Sequence, residues 1–197
     1  MRATTALELI GYSKRLKPYF LTSIAIFVCG VVLGIIAVNY HAGLALRLEQ
    51  MLIGFVDNFR GLSTPQLAAA IFLNNTVKSA AAIILGTLVG ILPVVFLLIN
   101  GVALGAIVYI SLGTRGIWQS TMTILPHGIL ELPAVLLATS IGLMLGSRAI
   151  KRLAGKSVVS LREELTQAGK FFCAVIVPVL LVAALVEAYL TPLIAKL

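Results

Sequence analysis

Residues 20–40 read FLTSIAIFVCGVVLGIIAVNY. The run carries no charge, and as a helix rising ~1.5 Å per residue it is long enough to cross the ~30 Å hydrocarbon core of a bilayer. A cleavable signal peptide has an apolar core of only ~7–15 residues and a small-residue cleavage site. The longer core here predicts an uncleaved anchor helix. Outward along the chain, a second apolar run covers about 66–90. Ser63-Thr64-Pro65 gives it a start signal, a capping hydroxyl followed by proline in the first turn. Gly90-Ile91-Leu92-Pro93 leaves room only for a tight turn before a third run at about 92–113. A fourth covers about 121–146. The fifth, about 171–193, is interrupted by Pro178 and closed by Pro192. The pattern predicts an all-α, polytopic membrane helix bundle with five transmembrane helices, in a single membrane domain spanning 1–197.

Composition agrees. Of 197 residues, 60% are hydrophobic and 11% charged, with a mean hydropathy of +1.08; soluble domains are about 25% charged. So little charge cannot cover a water-facing surface, which argues against a soluble enzyme, a nucleic-acid-binding domain and a disordered chain. Cys29 and Cys173 both lie in apolar runs, so no disulfide framework is expected. The net charge of +8 carries topology information. With five spans, Arg2, Lys14, Arg15, Lys17, Arg148, Lys151, Arg152, Lys156, Arg162 and Lys170 fall on one side, while Arg47, Arg60, Arg115 and Lys196 fall on the other. The positive-inside rule then places the N-terminus in the cytoplasm and the C-terminus outside, with 147–170 a basic cytoplasmic segment. A nucleic-acid or anionic-lipid site is the other reading of that segment. Orientation is the preferred one, and no nucleic-acid partner is expected.

Residues 41–62 are neither a span nor an ordinary loop. Leu44, Leu48, Met51, Leu52, Phe55 and Phe59 follow helical spacing, with Arg47, Gln50, Asp57 and Asn58 mostly between them. They predict an extracytoplasmic amphipathic helix, which either packs over the bundle or docks an envelope partner. Ser160-Leu161-Arg162-Glu163 is a capping box, so a helix is expected to start there and feed into the fifth span across Gly169. Four spans carry glycine pairs at four-residue spacing: Gly30/Gly34, Gly86/Gly90, Gly101/Gly105 and Gly142/Gly146. Such pairs let two backbones approach closely, either between helices of one chain or in a homodimer.

A few polar side chains lie at membrane depth: Lys78, His127, Glu131 and Glu187. A charge near the bilayer centre costs ~2.5–3.5 kcal/mol on insertion scales, so each is expected to have a partner or a purpose. Counted at ~1.5 Å per residue, Lys78, Glu131 and Glu187 fall near the midplane or in the outer half, close in height. Asn74 and Lys78 share a helix face by their spacing, as do His127 and Glu131. Two readings stand: a polar chamber open to the outside and lined by Asn74, Asn75, Lys78, His127, Glu131 and Glu187, or a buried ion pair with hydrogen-bonded neighbours as helix glue. No metal or cofactor is expected, because His-Glu-x-x-His and phosphate-loop patterns are absent from the sequence. No nucleophile sits in a recognisable catalytic arrangement, so the chain is not expected to be an enzyme.

Leu73-Asn74-Asn75 at the head of a span, Gly86/Gly90 before a proline turn, and Asn100-Gly101 with Gly105 resemble the stage II sporulation protein M family. The segment Leu125-Pro126-His127-Gly128-Ile129-Leu130-Glu131-Leu132-Pro133-Ala134 is similar to its archaeal-type members in particular. The resemblance implies a polytopic membrane protein. Sporulation members of that family act in engulfment, as membrane anchors for peptidoglycan-degrading partner proteins. The expected role is therefore a membrane scaffold or anchor for an envelope-associated complex. The alternative is a transporter or channel-like protein whose chamber takes a small solute, ion or lipid headgroup.

Overall fold

The computed structural model describes residues 6–41, 61–156 and 160–190, with isolated positions between 43 and 54; at 115, 119, 122–128 and 130 it describes the backbone only. The amphipathic segment expected at 41–62 lies almost wholly outside the described residues. Helix α1 is Ala6–Tyr40 and α2 is Thr64–Gly86. The stretch Ile91–Leu153 is helical except at Gly116, where φ 77 and ψ 171 break it. Its two membrane-length arms are α3, Ile91–Thr114, and α4, Glu131–Leu153; α5 is Leu161–Leu190. These five helices are long and apolar enough to cross a membrane.

Local sequence accounts for most boundaries. Ser63 caps α2, its backbone N–H and its hydroxyl both donating to Gln66 Oε1, at 2.9 and 3.0 Å. The turn after α2 bends back at Gly90, whose φ of 75 suits glycine. Ser160 does precede α5, but its hydroxyl makes no capping bond among the described residues; its carbonyl accepts the first-turn backbone N–H groups of Glu163 and Glu164 instead. Two π-helical turns interrupt α5, at Phe172–Ile176 and Val186–Leu190. Each ends two residues before a proline of the sequence, Pro178 and Pro192. Proline has no N–H for the carbonyl four residues back, and the preceding turn widens. At its other end α1 begins 14 residues before the apolar run at Phe20, further back than expected. Tyr12 and Leu16 are buried and Leu9 and Tyr19 pack beside them, so a helical stripe continues upstream of the span.

The bundle is apolar outside, and part of its interior is lined by small or polar residues. On α2 the buried residues include Ala68, Asn75, Ser79, Ala82 and Gly86. Of its large apolar side chains, Leu73, Val77 and Ile84 are 59%, 64% and 60% exposed, whereas Ile83 is buried. A helix in water would be arranged the other way round; lipid reverses the preference. The protein is thus a multi-pass membrane protein.

Two glycine seams hold it together. Along the first, a Cβ on Gly30 would come 2.8 Å from the Leu98 carbonyl oxygen, and one on Gly34 would land on the Val102 carbonyl oxygen. Gly101 and Gly105 meet Phe27 and Val31 in return, and further along Tyr109 Oη donates to Asn39 at 2.7 Å. Advance along α1 matches advance along α3, so these two helices run parallel. The second seam joins α2 to α4: Gly86 lies on Gly142 and Gly90 on Gly146, again parallel. Pro93 at the start of α3 meets Gly142, midway along α4 and well past Gly116, so α3 and α4 form an antiparallel hairpin about Gly116. Parallel pairing of first with third and second with fourth is what alternate crossing of a membrane requires. α4 is the central helix, with 56% of its apolar window buried against 28–33% in the others. Ser140 on α4 also meets Ser23 of α1, Oγ to Oγ at 3.0 Å.

Apart from Gly90, where a Cβ would come 3.6 Å from Gly146, the seam glycines leave no room for a side chain. Gly86→Val is expected to cost more than the ~1–3 kcal/mol typical of overpacking, because the obstacle is backbone. Gly113→Ala, where a Cβ meets nothing within 4 Å, is expected to change stability by less than about 1 kcal/mol. Thermal melts of the two purified variants in one detergent check the contrast.

Candidate functional site

The parallel seam between α2 and α4 sets heights inside the bundle. Asn75 and Glu131 each stand eleven residues before the facing glycines Gly86 and Gly142, so they lie at one level. Both are buried, 7% and 9% exposed, and Asn75 Oδ1 accepts a hydrogen bond from Asn74 Nδ2 at 3.2 Å. Ser79, one turn along from Asn75, is fully buried, and among the described residues its hydroxyl has no hydrogen-bond partner. Glu187 is half-buried in the second π turn of α5, which packs on α2. Lys78 is not brought into this interior: its side chain is exposed, and among the described residues no salt bridge joins it to Glu131 or Glu187. At ~100° per residue it falls ~60° to the side of the buried stripe, and a long aliphatic stem lets its ammonium reach away from the helix. The His127 side chain lies outside the described residues.

A second polar site lies at the basic end of the bundle. Glu164 on α5 is 2% exposed. Its Oε1 is 3.6 Å from Arg15 of α1 and 3.5 Å from Arg148 of α4. One carboxylate therefore ties three helices. Arg15 also donates to Gln167 and stacks over the Tyr12 ring at 5.1 Å, and Tyr12 packs on Phe171 at the same centroid distance. Tyr12 precedes the apolar run of α1, and burial, then the nearby Glu164 charge, raise its phenol above the ordinary range, with Arg15 and Arg148 opposing. Sequence reasoning passed over this site, although a signal existed. Leu161, Glu164, Leu165, Ala168 and Phe171 share one helical face, and a carboxylate on an otherwise apolar stripe marks a buried ion pair.

Neither site gathers a metal-ligand set: among the described residues no three His, Cys, Asp or Glu side chains come together. The arrangement comprises lipid-facing apolar surfaces, backbone-close seams, a buried amide–carboxylate layer and a charged clamp at one end. That defines the class as a polytopic α-helical membrane protein. Within that class the chain belongs to the Stage II sporulation protein M family, whose profile matches residues 23–192. It is 27% identical over 180 residues to the uncharacterized protein MJ0793 of Methanocaldococcus jannaschii, covering 90% of this chain and 96% of that one. No solved structure matches the chain.

Removing the shared carboxylate leaves two arginines facing each other. Glu164→Gln is expected to lower stability by about 2–3 kcal/mol, below the ~3–5 of a fully buried pair because Arg15 is 41% exposed. Arg15→Gln is expected to cost less than half as much, since Arg148 still pairs with Glu164. Parallel thermal melts in detergent distinguish the two.

Proposed function

We propose that the chain is a non-enzymatic membrane anchor that holds an envelope-associated complex at the cell membrane, with its N-terminus cytoplasmic and its C-terminus outside. The observation that carries this reading is the pair of glycine seams. Each presses backbone against backbone, so the first and third helices, and the second and fourth, cannot slide without a clash. Such a bundle suits a fixed platform better than alternating access, which needs one group of helices to rock against another. The four glycine pairs face each other within the chain, so a homodimer would use a different surface. The ten-to-four distribution of basic residues supports the orientation, and the role follows that of the sporulation members of the family.

A specific observation favours a second reading, transport of a small solute or ion. Asn75, Ser79 and Glu131 place polar atoms inside the bundle, and among the described residues the Ser79 hydroxyl lacks a partner. The double substitution Lys78→Met with Glu131→Gln separates the two. An anchor is expected to keep its crosslinked envelope partner at wild-type yield in native membranes, with a thermal midpoint close to wild type. If the folded double variant loses solute flux in reconstituted vesicles that the wild type supports, the anchor reading falls.

A further inference from the structure

A cleft of ≈ 340 Å³ opens between the start of α1 and the start of α5. Its walls are Leu9, Tyr12 and Phe171, and its cations are Arg15 and Lys170. Arg15 lies five residues before the apolar run of α1, and Lys170 stands immediately before that of α5. Both charges therefore sit where the bundle leaves the hydrocarbon; Phe171 follows Lys170 into the apolar run of α5, whereas Leu9 and Tyr12 precede Arg15 on its aqueous side. We infer that this cleft binds the phosphodiester headgroup of an anionic phospholipid, with the glycerol beside Phe171 and the headgroup against Leu9, Tyr12 and the two cations.

Three features carry the inference. Arg15 is held in place before any ligand arrives: Nη1 faces Glu164, Nη2 donates to Gln167, and the guanidinium plane rests on Tyr12. A guanidinium has five N–H donors, so others remain for phosphate oxygens, and a fixed fork loses little freedom on binding. Gly11 keeps the cleft open, since a Cβ there would meet nothing within 4 Å. Charge sets the selectivity. Glu8 lines the same cleft, so two cations face one carboxylate at the rim. That balance favours a singly charged phosphodiester over a polyphosphorylated headgroup. Lys14, Lys17, Arg148 and Lys151 lie at the same end of their helices and attract anionic lipid to it.

The test uses the full-length protein in neutral detergent with short-chain phosphatidylglycerol, short-chain phosphatidylcholine or inorganic phosphate, read by thermal shift and native mass spectrometry. Phosphatidylglycerol is expected to raise the melting midpoint and remain bound, with phosphatidylcholine and inorganic phosphate having little effect. Lys170→Gln is expected to weaken binding about tenfold, the loss of one charge-assisted contact. Gly11→Leu, which fills the cleft without changing any charge, is expected to abolish it while leaving the lipid-free midpoint near wild type. Equal stabilisation by the two lipids would overturn the inference. So would a full shift from inorganic phosphate alone, or wild-type binding by both variants.

Discussion

In a bilayer, no hydrophobic force draws one helix to another, because lipid tails solvate leucine as well as another helix does. What remains is the short-range attraction of closely packed atoms, and it grows as backbones approach. This protein meets that constraint by bringing glycine to the crossing points of two parallel helix pairs, Gly30/Gly34 with Gly101/Gly105 and Gly86/Gly90 with Gly142/Gly146. The rest of the architecture depends on those contacts. They fix how far each helix is advanced relative to its partner, and because α3 and α4 are arms of one hairpin they join the two pairs into one bundle. The common level of Asn75 and Glu131 follows from the second seam.

The fold was legible in the sequence because its signals are local. Apolar length, the Ser63-Thr64-Pro65 start, the turn at Gly90 and glycine pairs at four-residue spacing each act within a single helix. Which glycine pair faces which was not legible, since pairing is a property of the assembled bundle. The same limit explains the polar residues. Periodicity placed Lys78 beside Asn74 and Asn75, but only the crossing of α2 with α4 decides which side of that face turns inward, and Lys78 falls at its edge. The clamp at Glu164 went unread for another reason. Attention to spans leaves the segments between them to orientation counting, and Arg15 and Arg148 were tallied as charges although both face a buried carboxylate.

Counting charge by side and locating its partners give complementary views of one end of the molecule. The excess of basic residues concerns orientation, whereas the pairing of Arg15 and Arg148 with Glu164 concerns cohesion. Glu164 is buried between two cations, so its desolvation is offset by contacts from α1 and α4. Because the clamp joins α1, α4 and α5, it reaches the one helix, α5, that neither glycine seam includes. Apolar packing also holds α5, with Phe171, Ile176 and Leu180 in one buried cluster with Ile141, Met144 and Leu145 of α4, and α5 packs on α2 as well.

Helix α4 links these layers. It carries Glu131 at one end and Arg148 near the other, ~26 Å apart along the axis and comparable to the thickness of a hydrocarbon core. Between them, Thr139 and Ser140 direct their hydroxyls back to carbonyls of their own helix at Val135 and Leu136. Thr139 is thereby satisfied within its own helix, whereas Ser140 also meets Ser23 of α1; such back-bonding loosens the helix slightly. The strut is otherwise fixed at Gly142 and Gly146. Its freedom to bend is thus greatest between the seam and Glu131, where it also carries Pro133. An anchoring protein can leave that end still. A transporter would have to move it, and any such motion must pivot on the glycine seam, because nothing at Gly142 or Gly146 can yield.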